Sequence, residues 1–128
     1  MDKAQALHTF WSGFGLKAVD ERLADDQKTL DDLDIGDNYI SYEVSTGSFD
    51  EPIALSASIW DRSTSWETVT HEADEIASYI GRGGVKVPFD GGQIWITRGQ
   101  PFASRADSGS IDKKRIYLNI IAEFQTAD

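Results

Sequence analysis

Lys114-Arg115-Ile116-Tyr117-Leu118-Asn119-Ile120-Ile121-Ala122-Glu123-Phe124-Gln125 alternates along its whole length. Ile116, Leu118, Ile120, Ala122 and Phe124 fall on one face of an extended chain. Arg115, Tyr117, Asn119, Ile121 and Glu123 fall on the other. A strand this long, with one face this apolar, is read as central in a sheet. It needs strands on both sides and helices over its apolar face.

Upstream, Val85 to Phe89 and Gln93 to Arg98 flank Asp90-Gly91-Gly92, a hairpin signal between two β-type runs. Ile94 and Ile96 face one way, Trp95 and Thr97 the other. Tyr39 to Ser45 and Pro52 to Trp60 alternate in the same manner, and about six turn-like residues join them, so they are expected to form a second antiparallel hairpin. Between the hairpins, Trp66, Val69, Ala73, Ile76 and Ile80 recur at three- and four-residue spacings, one apolar stripe on a helix that Gly81 closes. Thr64 with Glu67 is read as its capping box. At the start of the chain, Asp2 caps a shorter helix whose Ala4, Leu7, Phe10 or Trp11, and Phe14 share a face, and Gly13 and Gly15 stop it. The expectation is a single α+β domain over residues 1–128. A mostly antiparallel sheet of about five strands carries two amphipathic helices.

Two segments resist this scheme. Residues 20–38 are dense in Asp and Glu, Asp25, Asp26, Asp31 and Asp32 among them, with no steady apolar period. They are expected to form a long exposed loop with at most a helical turn near Glu21. Residues 99–113 hold Pro101, Phe102, Arg105 and Gly109 and are read as a second long loop, in which Phe102 has no evident core partner.

With 128 residues the chain can bury a core without staples, and the absence of cysteine removes disulfides, thiol nucleophiles and the usual structural zinc sites. There is neither an apolar run long enough for a membrane span nor the basic-then-apolar start of a signal peptide, so the expectation is a mature protein made in the cytoplasm. Twelve Lys and Arg stand against 22 Asp and Glu, a net charge of −10. Nucleic-acid affinity rests on phosphate neutralisation, so an acidic chain is a poor candidate for gripping DNA or an anionic membrane.

The sequence holds no recognisable catalytic constellation. His71-Glu72 with Glu75 lacks the second histidine of a zinc-binding His-Glu-x-x-His helix and reads as a solvated face. Asp32, Asp34 and Glu43 fit positions one, three and twelve of a calcium loop, but Gly36 and Asp37 break the pattern at positions five and six. Gly81-Arg82-Gly83-Gly84 follows a helix instead of opening one and is no phosphate loop. No enzyme activity, metal or cofactor is expected. Four tryptophans stand out instead. Trp66 belongs to the helix stripe, whereas Trp60 and Trp95 lie on the less apolar faces of their strands. There they are either interface anchors or covered by a helix.

Several stretches, taken in order, carry a resemblance. They are Leu7-His8-Thr9-Phe10-Trp11-Ser12-Gly13-Phe14-Gly15-Leu16, Ser58-Ile59-Trp60-Asp61-Arg62-Ser63-Thr64-Ser65-Trp66 and Ile80-Gly81-Arg82-Gly83-Gly84. Asp90-Gly91-Gly92-Gln93-Ile94-Trp95-Ile96, Gly99-Gln100-Pro101-Phe102-Ala103 and Arg115-Ile116-Tyr117-Leu118-Asn119-Ile120 follow. From about residue 3 to 124 the chain resembles the small tail-terminator proteins (minor capsid or tail-completion proteins) of long-tailed phages and prophages of Gram-positive bacteria. The region 22–38 resembles them least. The resemblance implies a structural virion protein, assembled in the host bacterial cytoplasm, that forms a six-membered ring at the head-proximal end of the tail tube. Such a ring ends tube polymerisation and joins the tail to the neck or head-completion protein, and DNA passes through its bore without specific binding. The alternatives are another head-tail joining component, such as a stopper, or a tail-tube subunit. Under the ring reading the acidic segment with Asp25, Asp26, Asp31 and Asp32 is expected at the bore or a neck contact, where like charge repels phosphate. The 99–113 segment with Phe102 and Arg105 is expected between subunits or on the tube, and removing 103–110 is expected to leave the fold intact.

Overall fold

In the computed structural model, which describes residues 1–126, the alternating run from Lys114 to Gln125 lies in strand β6 (Lys113–Thr126), between β3 (Pro52–Arg62) and β5 (Gly92–Ala106). It is central, as its pattern requires: Ile116, Leu118, Ile120, Ala122 and Phe124 are all buried. The other strands are β1 (Lys17–Asp20), β2 (Tyr39–Tyr42) and β4 (Val85–Phe89), in the order β1-β2-β3-β6-β5-β4. All pairs are antiparallel except β1 with β2. The sheet therefore has six strands and is mixed, one strand more than expected.

Helices α1 (Lys3–Ser12) and α4 (Glu67–Ile80) cover the apolar face. Leu7, Phe10 and Trp11 from α1, and Val69, Ala73, Ile76 and Ile80 from α4, join the strand residues in one core. The Asp2 carboxylate caps α1 by accepting from the Gln5 amide at 2.8 Å, and the Gln5 side chain accepts from the Asp2 amide in return. The capping box expected at Thr64 and Glu67 does not form. Trp66 holds the N-cap position of α4 without a side-chain cap, which makes Glu67 the first helical residue. Serine turns lead in instead: Ser63 Oγ accepts from the Ser65 amide, and Ser65 Oγ from the Glu67 amide. Asp90-Gly91 closes the β4–β5 hairpin, with Gly91 at φ 93°, a conformation that favours glycine.

Both expected loops are corrected. Residues 20–38 hold two short helices, α2 (Glu21–Ala24) and α3 (Gln27–Asp32), preceded by β1. The physical reason is topological. β1 and β2 are parallel neighbours, and a parallel pair needs a crossover between its strands. Asp20 caps α2 by accepting from the Arg22 amide, and Asp26 caps α3 by accepting from the Lys28 amide. Residues 99–106 are not loop but the second half of β5. From Arg98 to Ala103 β5 takes five steps where β6 takes two, from Ile120 to Leu118. The bulge absorbs Gly99 and Pro101, the breakers that suggest a loop. A Cβ on Gly99 would stand 2.8 Å from the Asn119 Cβ, so only glycine lets the two strands approach there. Pairing resumes from Ala103 to Ala106, leaving a turn at 107–112. Removing 103–110 would cut a paired strand, so the fold is not expected to survive that deletion.

Candidate functional site

Strand alternation sends Ser41, Ser56, Ser58, Trp60, Arg115 and Tyr117 to the face of the sheet away from α1 and α4. Of that face, the α2–α3 lobe covers the β1–β2 side, where Val19 and Leu30 are buried outside the main core. Between the lobe and strands β2, β3 and β6 lies a cleft of about 630 Å³.

Its floor is built of small hydroxyl residues and its wall of stacked planar groups. Tyr39, Trp60 and Arg115 are direct cross-strand neighbours in β2, β3 and β6. The Tyr39 and Trp60 rings stack at 6.1 Å and 15°. The Arg115 guanidinium lies 4.8 Å from the Trp60 ring and 6.0 Å from the Tyr117 ring, a cation held by aromatic faces. Each serine fixes one element of the wall. Trp60 Nε1 donates to Ser41 Oγ at 3.0 Å, and Arg115 Nε to Ser58 Oγ at 2.9 Å. Glu43 Oε1 accepts from the Ser56 amide and hydroxyl at 3.0 and 3.3 Å. On the rim, Arg62 pairs with Asp37 at 3.4 Å and Asp112 at 2.9 Å.

The electrostatics are mixed. Burial, with repulsion from Glu43, Asp20 and Asp25, pushes the Glu21 carboxyl above its usual value, and Arg115 partly offsets this. Burial also raises the Tyr39 phenol. The Ser58 hydroxyl faces a guanidinium and not a base, and both histidines lie elsewhere. His8 on α1 meets the Tyr42 hydroxyl at 2.9 Å, and His71 pairs with Glu75 at 2.8 Å on the exposed side of α4. Among the described residues no three His, Asp or Glu side chains converge to hold a metal ion, the Asp32, Asp34 and Glu43 set included.

The expected site residues divide between locations. Trp60 and Asp25 line the cleft. Trp60 is half-buried, while Trp95 stays 38% exposed, its Nε1 donating to the Gly83 carbonyl at 3.0 Å. Phe102 does have a core partner after all: in the bulge of β5 it is half-buried against the core. The Arg105 guanidinium sits 4.7 Å from the Trp66 ring, near the start of α4. Asp26 is committed to capping α3, Asp31 accepts from Gln27 Nε2 at 2.9 Å, and Asp32 is exposed at the end of α3. Sequence reading missed Tyr39, Arg115 and Tyr117. Their signal was available: they are the polar and aromatic positions that alternate with the core residues of β2 and β6.

Compared with known proteins, the chain matches no family model, no curated protein and no solved structure.

Proposed function

We propose that this protein is a structural subunit of a phage tail. Six copies form a ring at the head-proximal end of the tail tube, which ends tube growth and joins the tail to the neck protein. The observation that carries the reading is where the resembling stretches fall. Leu7 to Leu16 makes α1 and its exit, and Ser58 to Trp66 joins β3 to α4. Ile80 to Gly84 and Asp90 to Ile96 make the turn after α4 and the β4–β5 hairpin. Gly99 to Ala103 is the bulge, and Arg115 to Ile120 lies in the central strand. These residues set the scaffold and its corners and do not converge on a reacting centre, as suits a protein that acts by shape. The cleft, with its stacked wall and carboxylate rim, supports a role in contacts with other proteins. The net charge of −10, multiplied sixfold in a ring, disfavours adhesion of passing DNA.

Electron microscopy of particles lacking this chain tests the proposal. Tails of uncontrolled length, or tails separated from filled heads, are expected. Normal particles would refute it. Purified protein that polymerises alone into long tubes would identify a tube subunit instead, and label on the neck away from the tube end a stopper.

A further inference from the structure

The cleft under the α2–α3 lobe has two walls of opposite charge that do not pair with each other. On the sheet side stand Lys113 and Arg115, which share one face of β6. On the lobe side stand Glu21, which opens α2, and Asp25, its C-cap. Among the described residues neither Arg115 nor Lys113 forms an ion pair, and neither does Glu21 or Asp25. Arg22 and Asp61 border the cleft as well, one opposing charge on each side, and leave the sign of each wall unchanged. At the rim Arg62 is taken up by Asp37 and Asp112.

Arg115 is held ready for an anion. The Trp60 ring at 4.8 Å and the bond from Nε to Ser58 Oγ at 2.9 Å fix its plane, and Nη1 reaches the Asp107 carbonyl at 3.4 Å. Its Nη2 has no partner among the described residues. The lobe wall is short of cations. Burial first, then repulsion from Glu43, Asp20 and Asp25, holds the Glu21 carboxyl above its usual value, and Arg115 acts on it only through space.

The shape narrows the class of ligand. Tyr39 and Arg115 flank Trp60 in the neighbouring strands, so neither face of the indole is free to stack on a base or a sugar. A phosphate would face the carboxylates of the lobe. Along β3 the floor runs from Ser56 through Ser58 to Trp60, about 13 Å of extended strand. Four residues of extended polypeptide match that length, and a free amino acid does not. Ser41 and Ser58 accept from Trp60 and Arg115, and each keeps a hydroxyl proton to donate to a peptide carbonyl.

We propose that the cleft receives an extended segment of a partner protein, with an acidic side chain on Arg115 and Lys113 and a basic side chain of the adjacent residue on Glu21 and Asp25. Adjacent side chains of an extended chain point to opposite sides, as walls on opposite sides require. A ligand of one sign would satisfy one wall and be repelled by the other. The inference rests on the reading of this chain as a joining subunit for the source of the segment, and it adds the surface that holds it.

Blocked tetrapeptides test it on the full chain. The probe is acetyl-Ser-Glu-Lys-Ser-amide, and in two controls Gln replaces either the Glu or the Lys. Binding is read from the Trp60 indole N–H in proton–nitrogen NMR spectra at low salt. A saturable shift is expected with the Glu-Lys peptide, at an affinity about fivefold above each control, the ratio given by an exposed ion pair at the upper end of its range. The variant K113Q/R115Q is expected to lose the preference for Glu and keep that for Lys. E21Q/D25N is expected to do the reverse. It changes only exposed side chains and spares the caps Asp20 and Asp26, so it decides the matter alone if the first variant does not fold.

The absence of a saturable shift, equal affinity for the three peptides, or an unchanged preference in E21Q/D25N overturns the proposal. Free glutamate or lysine binding more tightly than the blocked peptide would assign the cleft to a small zwitterion and overturn it too. So would a Trp60 shift that follows protein concentration alone, which would assign the cleft to a second copy. If tails lacking the chain lose length control while no peptide binds, the ring reading survives and this site does not. If the peptides bind as expected while such particles are normal, the ring reading fails and the preference of the cleft stands.

Discussion

Trp60→Phe should destabilise the protein chiefly by depriving the Ser41 hydroxyl of its donor. The substitution keeps an aromatic ring between Tyr39 and Arg115. It removes the indole N–H that Ser41 Oγ accepts at 3.0 Å, the single hydrogen bond of that side chain. Ser41 lines the cleft but is only 6% exposed, so water replaces the lost donor in part. A lost hydrogen bond costs about 0.5–1.5 kcal/mol, and leaving a buried partner unsatisfied brings the cost to about 1–3 kcal/mol. Ser41→Ala alone is milder, about 0.5–1 kcal/mol, because the indole N–H borders the cleft and can turn to water. In the double variant the stranded hydroxyl is gone. Its cost should fall short of the two single costs added together by about 1 kcal/mol, the coupling expected of residues in direct contact. Urea unfolding followed by circular dichroism measures all four proteins, and the slope m should stay constant. A difference of 1 kcal/mol corresponds to a shift of about 3–5 °C in Tm for a domain of this size. Single costs that add within about 0.3 kcal/mol would refute the reasoning. They would mean that the wall of the cleft is not held by its serines.

Glu72 offers a pH-dependent prediction. Burial pushes its carboxyl above the ordinary value of 4.5, while the hydrogen bond from Asn38 Nδ2 opposes the shift. The folded state thus binds this proton more tightly than the unfolded chain does, and stability from this group is lost as pH rises through the folded pKa. Glu72→Gln retains an acceptor for Asn38 and should have the higher Tm at pH 7, with the gap closing near pH 4; a gap that widens in acid would contradict this. Gly99→Ala should lower the urea midpoint by the equivalent of about 1–3 kcal/mol, because its Cβ would overlap the Asn119 Cβ and carbonyl. Gly47→Ala, which meets nothing within 4 Å, is the control, expected within about 0.5 kcal/mol of wild type. Equal midpoints for the two would mean the β5–β6 approach at the bulge is looser than described.

The parts of the fold legible in the sequence are those with a period long enough to count. β6 shows five core residues at alternate positions, and α4 shows its stripe over more than three turns. The Asp2 cap and the Asp90-Gly91 turn are local signals that tertiary structure respects. β1 escaped because four residues, with Ala18 and Val19 turned to opposite sides, hold no period. α2 and α3 escaped because their caps, Asp20 and Asp26, sit among other carboxylates, where a cap cannot be told from solvated charge. Residues 99–106 were misread because Gly99 and Pro101 are breakers in most settings, and only the facing β6 turns them into a bulge. The cleft was half legible. Alternation alone placed Trp60 on the less apolar face, but its neighbour Arg115 lies 55 positions on and meets it only through the β3–β6 register.

The two outermost strands have a consequence for any crowd of identical copies. β1 offers only four residues, and β4 carries Lys86 and Pro88, a charge and a missing amide, along the unpaired side of the sheet. Both devices discourage strand addition. Hydrogen-bonded growth from one molecule into the next is therefore disfavoured at each end. Side-chain contacts fix an angle between neighbours, so copies that meet through them can come to a definite number and stop.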